Sequence, residues 1–157
     1  MTVAVWRIAV EAPTYTADDL SGTGAKISGG RWNSKGTRLV YSASNIALAT
    51  LETVHYLSNG GLPFNRYLVR IDIPEIVWEA RQVFAPLPVG WDAIPAGLSA
   101  RNAGDRWVAS GTTALLLVPS VLVPDEYNVL INPRHSDAAA ITATTIRRWI
   151  YDPRFFP

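Results

Sequence analysis

Glu52 and His55 stand three positions apart, a spacing at which two side chains of one helix can grip a metal ion. A dimetal bundle would need a second copy of that pair and further inward carboxylates. With His55 and His135 the two histidines in the chain, a three-ligand zinc site would need unusual carboxylate help. No metal is therefore expected, and His55 reads as a core histidine. Gly22-Thr23-Gly24 opens like a dinucleotide fingerprint, but the third glycine is missing and no strand directly precedes it. Ser34-Lys35-Gly36-Thr37 lacks the spacing of a Walker loop, which leaves phosphate contact by other means. Ser120 lies in Val118-Pro119-Ser120-Val121, without the Gly-x-Ser-x-Gly elbow of a hydrolase nucleophile. Four residues survive: Arg31 in a glycine loop, Tyr41 at a strand end, Glu52 at a helix margin and Ser120 at the end of an apolar strand. Spacing alone does not group them.

The hydrophobic pattern supplies the elements that could position them. Residues 3–8, 37–42 and 66–73 predict strands. In the last, Tyr67, Val69, Ile71 and Ile73 alternate with a wet face of Arg70 and Asp72, and Pro74 closes it. Further strands are expected at 76–83, 113–119, 127–132 and 145–150. The first two strands flank a long glycine-rich loop, 21–36, a length that usually carries function. Residues 44–58 predict a helix with Ser44 as its N-cap and Asn59-Gly60-Gly61 as its stop. At about 100° per residue, Val54, Ala47, Leu51, His55 and Leu48 form one stripe, and Glu52 falls roughly 40° past its edge, where a carboxylate can face a cleft. A second helix is expected over 98–110. Strands with interspersed helices and no regular βαβ alternation make the chain α+β. No repeat, linker or block of like charge interrupts it, which predicts a single domain, 1–157.

The 157 residues, 48% of them hydrophobic, suffice for a packed core and exclude intrinsic disorder. Fourteen Lys and Arg against thirteen Asp and Glu leave a formal charge of +1. Direct nucleic-acid binding and membrane-surface binding, which rest on a basic excess, are not expected. Without cysteine there are no disulfides, thiolate metal sites or thiol nucleophiles. The longest aliphatic run, 114–118, falls far short of the roughly 20 residues that cross a bilayer. The N-terminus reads as a first strand and not as a signal peptide, so a soluble cytoplasmic protein is expected.

Five segments carry a resemblance: Gly29-Gly30-Arg31-Trp32-Asn33 running on to Gly36, Leu39-Val40-Tyr41-Ser42, Leu48 to Glu52, Val118-Pro119-Ser120, and Asn128 to Pro133. In this order and spacing the chain resembles the RES-domain family, the toxin half of RES-Xre toxin-antitoxin pairs, over roughly residues 5–155. The resemblance implies a fold similar to ADP-ribosyltransferases and an activity that consumes NAD+ by breaking its nicotinamide-ribose bond. It implies Arg31, Glu52 and Ser120 as catalytic residues, with Arg31, Tyr41, Trp32, Lys35, Asn128 and Arg7 binding the dinucleotide. NAD+ would be the substrate, with no metal. The chemistry suits those residue types. A guanidinium among glycines can fork onto a pyrophosphate, and a carboxylate can offset the positive charge that grows on the ribosyl carbon.

Cleavage leaves the ADP-ribose acceptor open. Transfer to water or phosphate would make an NAD+ glycohydrolase or phosphorylase, and transfer to a specific protein an ADP-ribosyltransferase. A catalytically silent module that binds nucleotides or a partner is a third reading. The resemblance further implies an Xre-like helix-turn-helix antitoxin that covers the NAD+ cleft and supplies any DNA contact, and it accommodates a homodimer within that complex.

Overall fold

A computed structural model describes residues 1–54, 57 and 63–155. Seven strands form one sheet: β1 (Thr2–Val10), β2 (Val40–Ala43), β3 (Arg66–Pro74), β4 (Gln82–Val83), β5 (Leu115–Pro119), β6 (Tyr127–Ile131) and β7 (Thr142–Arg148). Their order is β4-β5-β6-β2-β1-β3-β7, and every pairing is antiparallel except β4 with β5. Among the described residues four α-helices accompany them, α1 (Thr23–Ser28), α2 (Ile46–Val54), α3 (Glu75–Glu79) and α4 (Leu98–Ser110). The α+β class follows from this arrangement.

Alternation along the strands sorts the core onto two faces. Val5, Ala9, Val40, Val69, Leu115, Leu117 and Val129 face one way into a single cluster. On the other face, Leu116, Val118 and Leu130 pack with α4 and Trp32, while Ile8, Ala43 and Leu68 pack with Leu48 and Ala49 of α2. The second face is thus shared by two separately packed helices.

Several sequence expectations are corrected. Residues 76–83 are not a strand: Pro74 ends β3, α3 follows, and only Gln82–Val83 pairs with β5. Ile76 is 80% exposed and Val77 buried, a one-sided burial that suits a helical turn. The loop 21–36 contains α1, capped by Gly29 at φ 68. The strand expected at 37–42 begins at Val40, and that expected at 145–150 runs over Thr142–Arg148, where pairing with β3 sets its span along an almost wholly exposed sequence. The N-cap of α2 is Asn45 and not Ser44, with Asn45 Oδ1 accepting the N–H of Leu48 at 2.8 Å. The far end of the expected helix, including His55, lies outside the described residues. Asp72 and Arg70 on the wet face of β3 pair at 3.1 Å.

Candidate active site

Glu52 lies on the inward side of α2. With Leu48 as origin, about 100° per residue puts Glu52 near 40° and Ala49 near 100°, and those two neighbours are 0% and 4% exposed. Ala47 and Leu51, expected in the buried stripe, face solvent. The helix is apolar nearly all round, so its pattern alone left the inward side open. Polar partners decide it. Thr53 shares a 2.6 Å hydrogen bond with buried Tyr151, and Glu52 meets two donors from the sheet.

Those donors are Ser120, just beyond β5, and Asn128 on β6. The Ser120 hydroxyl donates to Glu52 Oε1 at 2.6 Å, and the Asn128 amide donates to the same oxygen at 2.9 Å. Ser120 is fully buried, and its oxygen accepts the backbone N–H groups of Leu122 and Val123, both at 3.1 Å. Both lone pairs are therefore engaged by the turn, and the proton is left for Glu52. Among the described residues nothing hydrogen-bonds Oε2, so one carboxylate oxygen is pinned and the other is unclaimed. The carbonyl oxygen of Asn128 is buried without a partner. A further link joins the start of α2 to the turn before β6, where Asn45 donates to Glu126 Oε1 at 2.9 Å.

Arg31 is held from a distance. Its Nη1 donates to the carbonyls of Trp91 and Ala93, each at 2.8 Å. Both hydrogens of that nitrogen are spent, and the Nε–Nη2 edge, the one that forks onto phosphate or carboxylate oxygens, has no hydrogen bond among the described residues. The Trp32 ring is 3% exposed, its centroid 5.6 Å from Phe84 and 6.4 Å from Trp91. This packing fixes the residue next to Arg31 in the chain. Tyr41 joins this loop to the sheet: its hydroxyl accepts the N–H of Trp32 at 3.0 Å and donates to Asn33 Oδ1 at 2.6 Å. Gly30 leaves room for that hydroxyl, since a Cβ there would lie 2.6 Å from it. From the other side, Asp105 of α4 accepts the N–H and hydroxyl of Ser34 at 2.9 and 2.5 Å. A Cβ on Gly104 would overlap the Trp32 carbonyl, so α4 and the loop touch backbone to backbone.

The two halves share one sheet face. Asn128 pairs with Ala43, two residues beyond Tyr41, which makes Tyr41 and Asn128 diagonal neighbours at about 7–8 Å. The route from Arg31 to Glu52 thus runs through Trp32, Tyr41 and Asn128 over a single surface.

The RES domain profile matches residues 4–152. The chain belongs to the RES-domain family. This RES domain is 59% identical over 156 residues to a Sphingobium sp. (strain YBL2) protein named Prs ADP-ribosylating toxin, covering 98% of this chain and 97% of that one. It is 35% identical over 143 residues to Toxin Res of Yersinia enterocolitica, covering 89% and 92% of the two chains. Its fold matches a chain in the crystal structure of the M. tuberculosis MbcT-MbcA toxin-antitoxin complex with a TM-score of 0.64 at 15% identity, over 98% of this chain and 86% of that one.

Lys35 and Arg7, also expected at the dinucleotide, lie in different surroundings. Lys35 is exposed at a turn of the glycine loop. Arg7 alternates with Val5 and Ala9 toward the opposite sheet face from Glu52, beside Asp19 and Tyr15. Its Nε is buried without a hydrogen-bond partner, and burial lowers its pKa against the opposing pull of Asp19 and Tyr15.

Sequence reading passed over the residues that hold the others in place. Asn33, 0% exposed, donates to the carbonyls of Ala25, Ser34 and Thr37 and so shapes the glycine loop. A polar residue directly after Arg31-Trp32 and between glycine turns was the available signal. Asp105 and Glu126 carried none, because their partners lie 71 and 81 positions away.

Proposed function

We propose that this RES domain is the toxin of a toxin-antitoxin pair, and that it breaks the nicotinamide-ribose bond of NAD+ and hands the ADP-ribose to a protein acceptor, Prs. The observation that carries the reading is the Glu52 carboxylate, pinned through one oxygen by Ser120 and Asn128 and unclaimed at the other, on the sheet face reached by the Arg31 loop.

Nicotinamide leaves neutral, taking the bonding pair, and positive charge grows on the ribosyl carbon. At about 4 Å a carboxylate stabilises a unit positive charge by about 4 kcal/mol at an effective dielectric of 20, roughly three powers of ten in rate. Fixing the carboxylate beforehand avoids reorganisation at that moment. The free edge of Arg31 suits the pyrophosphate. The acceptor side chain then attacks the ribosyl carbon and gives up its proton, for which Glu52 Oε2 is the available base. Ser120, with hydrogen and lone pairs all engaged, acts as a positioning residue.

The acceptor is argued from the relative named for Prs modification, because 59% identity over nearly the whole chain favours a shared substrate. Transfer to water or phosphate is the second reading, since the same cleavage needs no protein. Support for an antitoxin partner is the toxin-antitoxin complex in which a chain of this fold was solved. An Xre-like helix-turn-helix antitoxin covering the cleft, DNA contact through it, a homodimer within that complex and cytoplasmic action belong to the same proposal. Among the described residues no helix is long and apolar enough to cross a membrane.

The test is purified protein with NAD+, with and without purified Prs. The expected result is nicotinamide release together with Prs heavier by an ADP-ribose. Equal release without Prs, and unmodified Prs, would favour water or phosphate. No release under either condition would favour a silent binding module.

A further inference from the structure

A surface helix ordinarily turns polar residues outward, yet the outer side of α2 carries Ala47, Thr50 and Leu51. These three and Trp149, Ile150 and Phe155 of the chain after β7 line one groove of about 680 Å³. Leu51 is 39% exposed, Ile150 54% and Phe155 44%. Both walls are fixed in place. Buried Tyr151, between two of the lining residues, shares its 2.6 Å hydrogen bond with Thr53 of α2, and the Trp149 N–H donates to the Arg66 carbonyl at 2.8 Å.

Cations edge this groove. The Arg147 guanidinium is exposed and lies 4.6 Å over the ring of Trp149, which holds it at the groove's margin. Arg66 stands beside the same tryptophan, and its charge reaches the Tyr151 phenol and lowers its pKa against the effect of burial. Neither arginine forms an ion pair among the described residues. The carboxylate in the lining, Asp152, is already paired with Arg154 at 2.7 Å. An apolar floor therefore meets a positive edge that nothing in the groove neutralises.

We infer that the groove between α2 and the chain after β7 docks an acidic, apolar-centred segment of a partner protein. Its apolar side chain lies against Leu51, Trp149 and Ile150, and its flanking carboxylates meet Arg147 and Arg66. Charge complementarity selects this occupant. A second copy of this chain would set arginine edge against arginine edge in a two-fold contact. A nucleic-acid backbone offers the anions without a side chain for the apolar floor, and the chain's formal charge of +1 gives it little general attraction. Because both walls are already held, little ordering is needed on docking. The inference is independent of the acceptor of ADP-ribose, since the groove lies on the side of α2 away from Glu52.

The test is a random peptide library displayed on phage, panned on the full chain and counter-selected on the variant Arg147→Glu. Enriched peptides are expected to carry carboxylates on either side of a leucine, isoleucine or aromatic residue. Their affinity, read by fluorescence polarisation, is expected to fall about tenfold or more in Arg147→Glu and in Ile150→Asp, to survive Arg147→Lys, and to weaken as salt is raised. Melting temperatures check that the variants fold, and if Ile150→Asp does not, the exposed Arg147 position decides. Failure to enrich any peptide that depends on Arg147 would overturn the inference, as would enriched peptides without carboxylates. A DNA duplex that binds the wild type through Arg147 and displaces the peptides would overturn it in favour of nucleic acid. Nicotinamide release is measured alongside, so a chain that binds the peptides without cleaving NAD+ would sink the catalytic reading and leave the groove assigned.

Discussion

Ser120 and Glu52, 68 positions apart, share a 2.6 Å hydrogen bond in which the serine can only be the donor. Two turn amides occupy the serine oxygen, so its proton has one direction to go. The bond ties the end of β5 to the middle of α2 and selects which carboxylate oxygen is left for chemistry.

Glu52→Gln keeps an acceptor for Ser120 and Asn128 but removes the charge. Nicotinamide release is expected to fall about 10²- to 10⁴-fold, with unfolding free energy within about 1 kcal/mol of wild type. Ser120→Ala and Asn128→Ala each free the carboxylate and are expected to lower kcat about 10- to 100-fold at nearly unchanged KM for NAD+. Asn128→Asp faces Glu52 with a like charge and is expected to lose more than Asn128→Ala. Steady-state kinetics on the four variants checks this order.

Arg31→Lys retains donors for the Trp91 and Ala93 carbonyls but has no planar fork to offer a phosphate. NAD+ affinity, read by calorimetry, is expected to fall about tenfold, with a melting temperature close to wild type.

Gly104→Ala places a methyl group on the Trp32 carbonyl. Neither backbone can yield without moving α4 or the glycine loop, and a loss of about 3 kcal/mol or more is expected in urea unfolding. Gly97→Ala meets only an ordinary van der Waals contact, 3.8 Å to Ala93, and is expected to stay within about 1 kcal/mol.

Burial raises the pKa of the Tyr151 phenol above its ordinary 10.0, while the Thr53 hydrogen bond and Arg66 pull it down. The folded protein therefore holds this proton longer than the unfolded chain. The stability it contributes is complete below pH 10.0 and is lost as the pH rises from there through the raised value. Tyr151→Phe should flatten that alkaline decline while costing about 1 kcal/mol at neutral pH for the lost hydrogen bond to Thr53. Urea melts from pH 7 to 11 measure both effects.

Legibility varied with how local the deciding forces were. The helix Leu98–Ser110 and the strand Arg66–Pro74 follow from patterns contained within each segment. In 76–83, the apolar start Ile76-Val77-Trp78 just after Pro74 fitted both a strand and a helical turn, and the packing of Val77 selected the turn. On α2 the outward stripe of Ala47 and Leu51 was as apolar as the inward side, so hydrophobicity could not orient Glu52. Hydrogen bonds from two other elements did.

Composition and periodicity by themselves determined the α+β class, the absence of thiol chemistry, and the elements that bear Arg31, Glu52 and Ser120, because each depends on residue types or on neighbours within one element. The tertiary structure alone decided which side of α2 turns inward, which oxygen of Glu52 is claimed, and that Arg31 is held by carbonyls 60 and 62 positions away. Those outcomes depend on strand order and on directional hydrogen bonds closed only when the sheet assembles, and no local pattern encodes them.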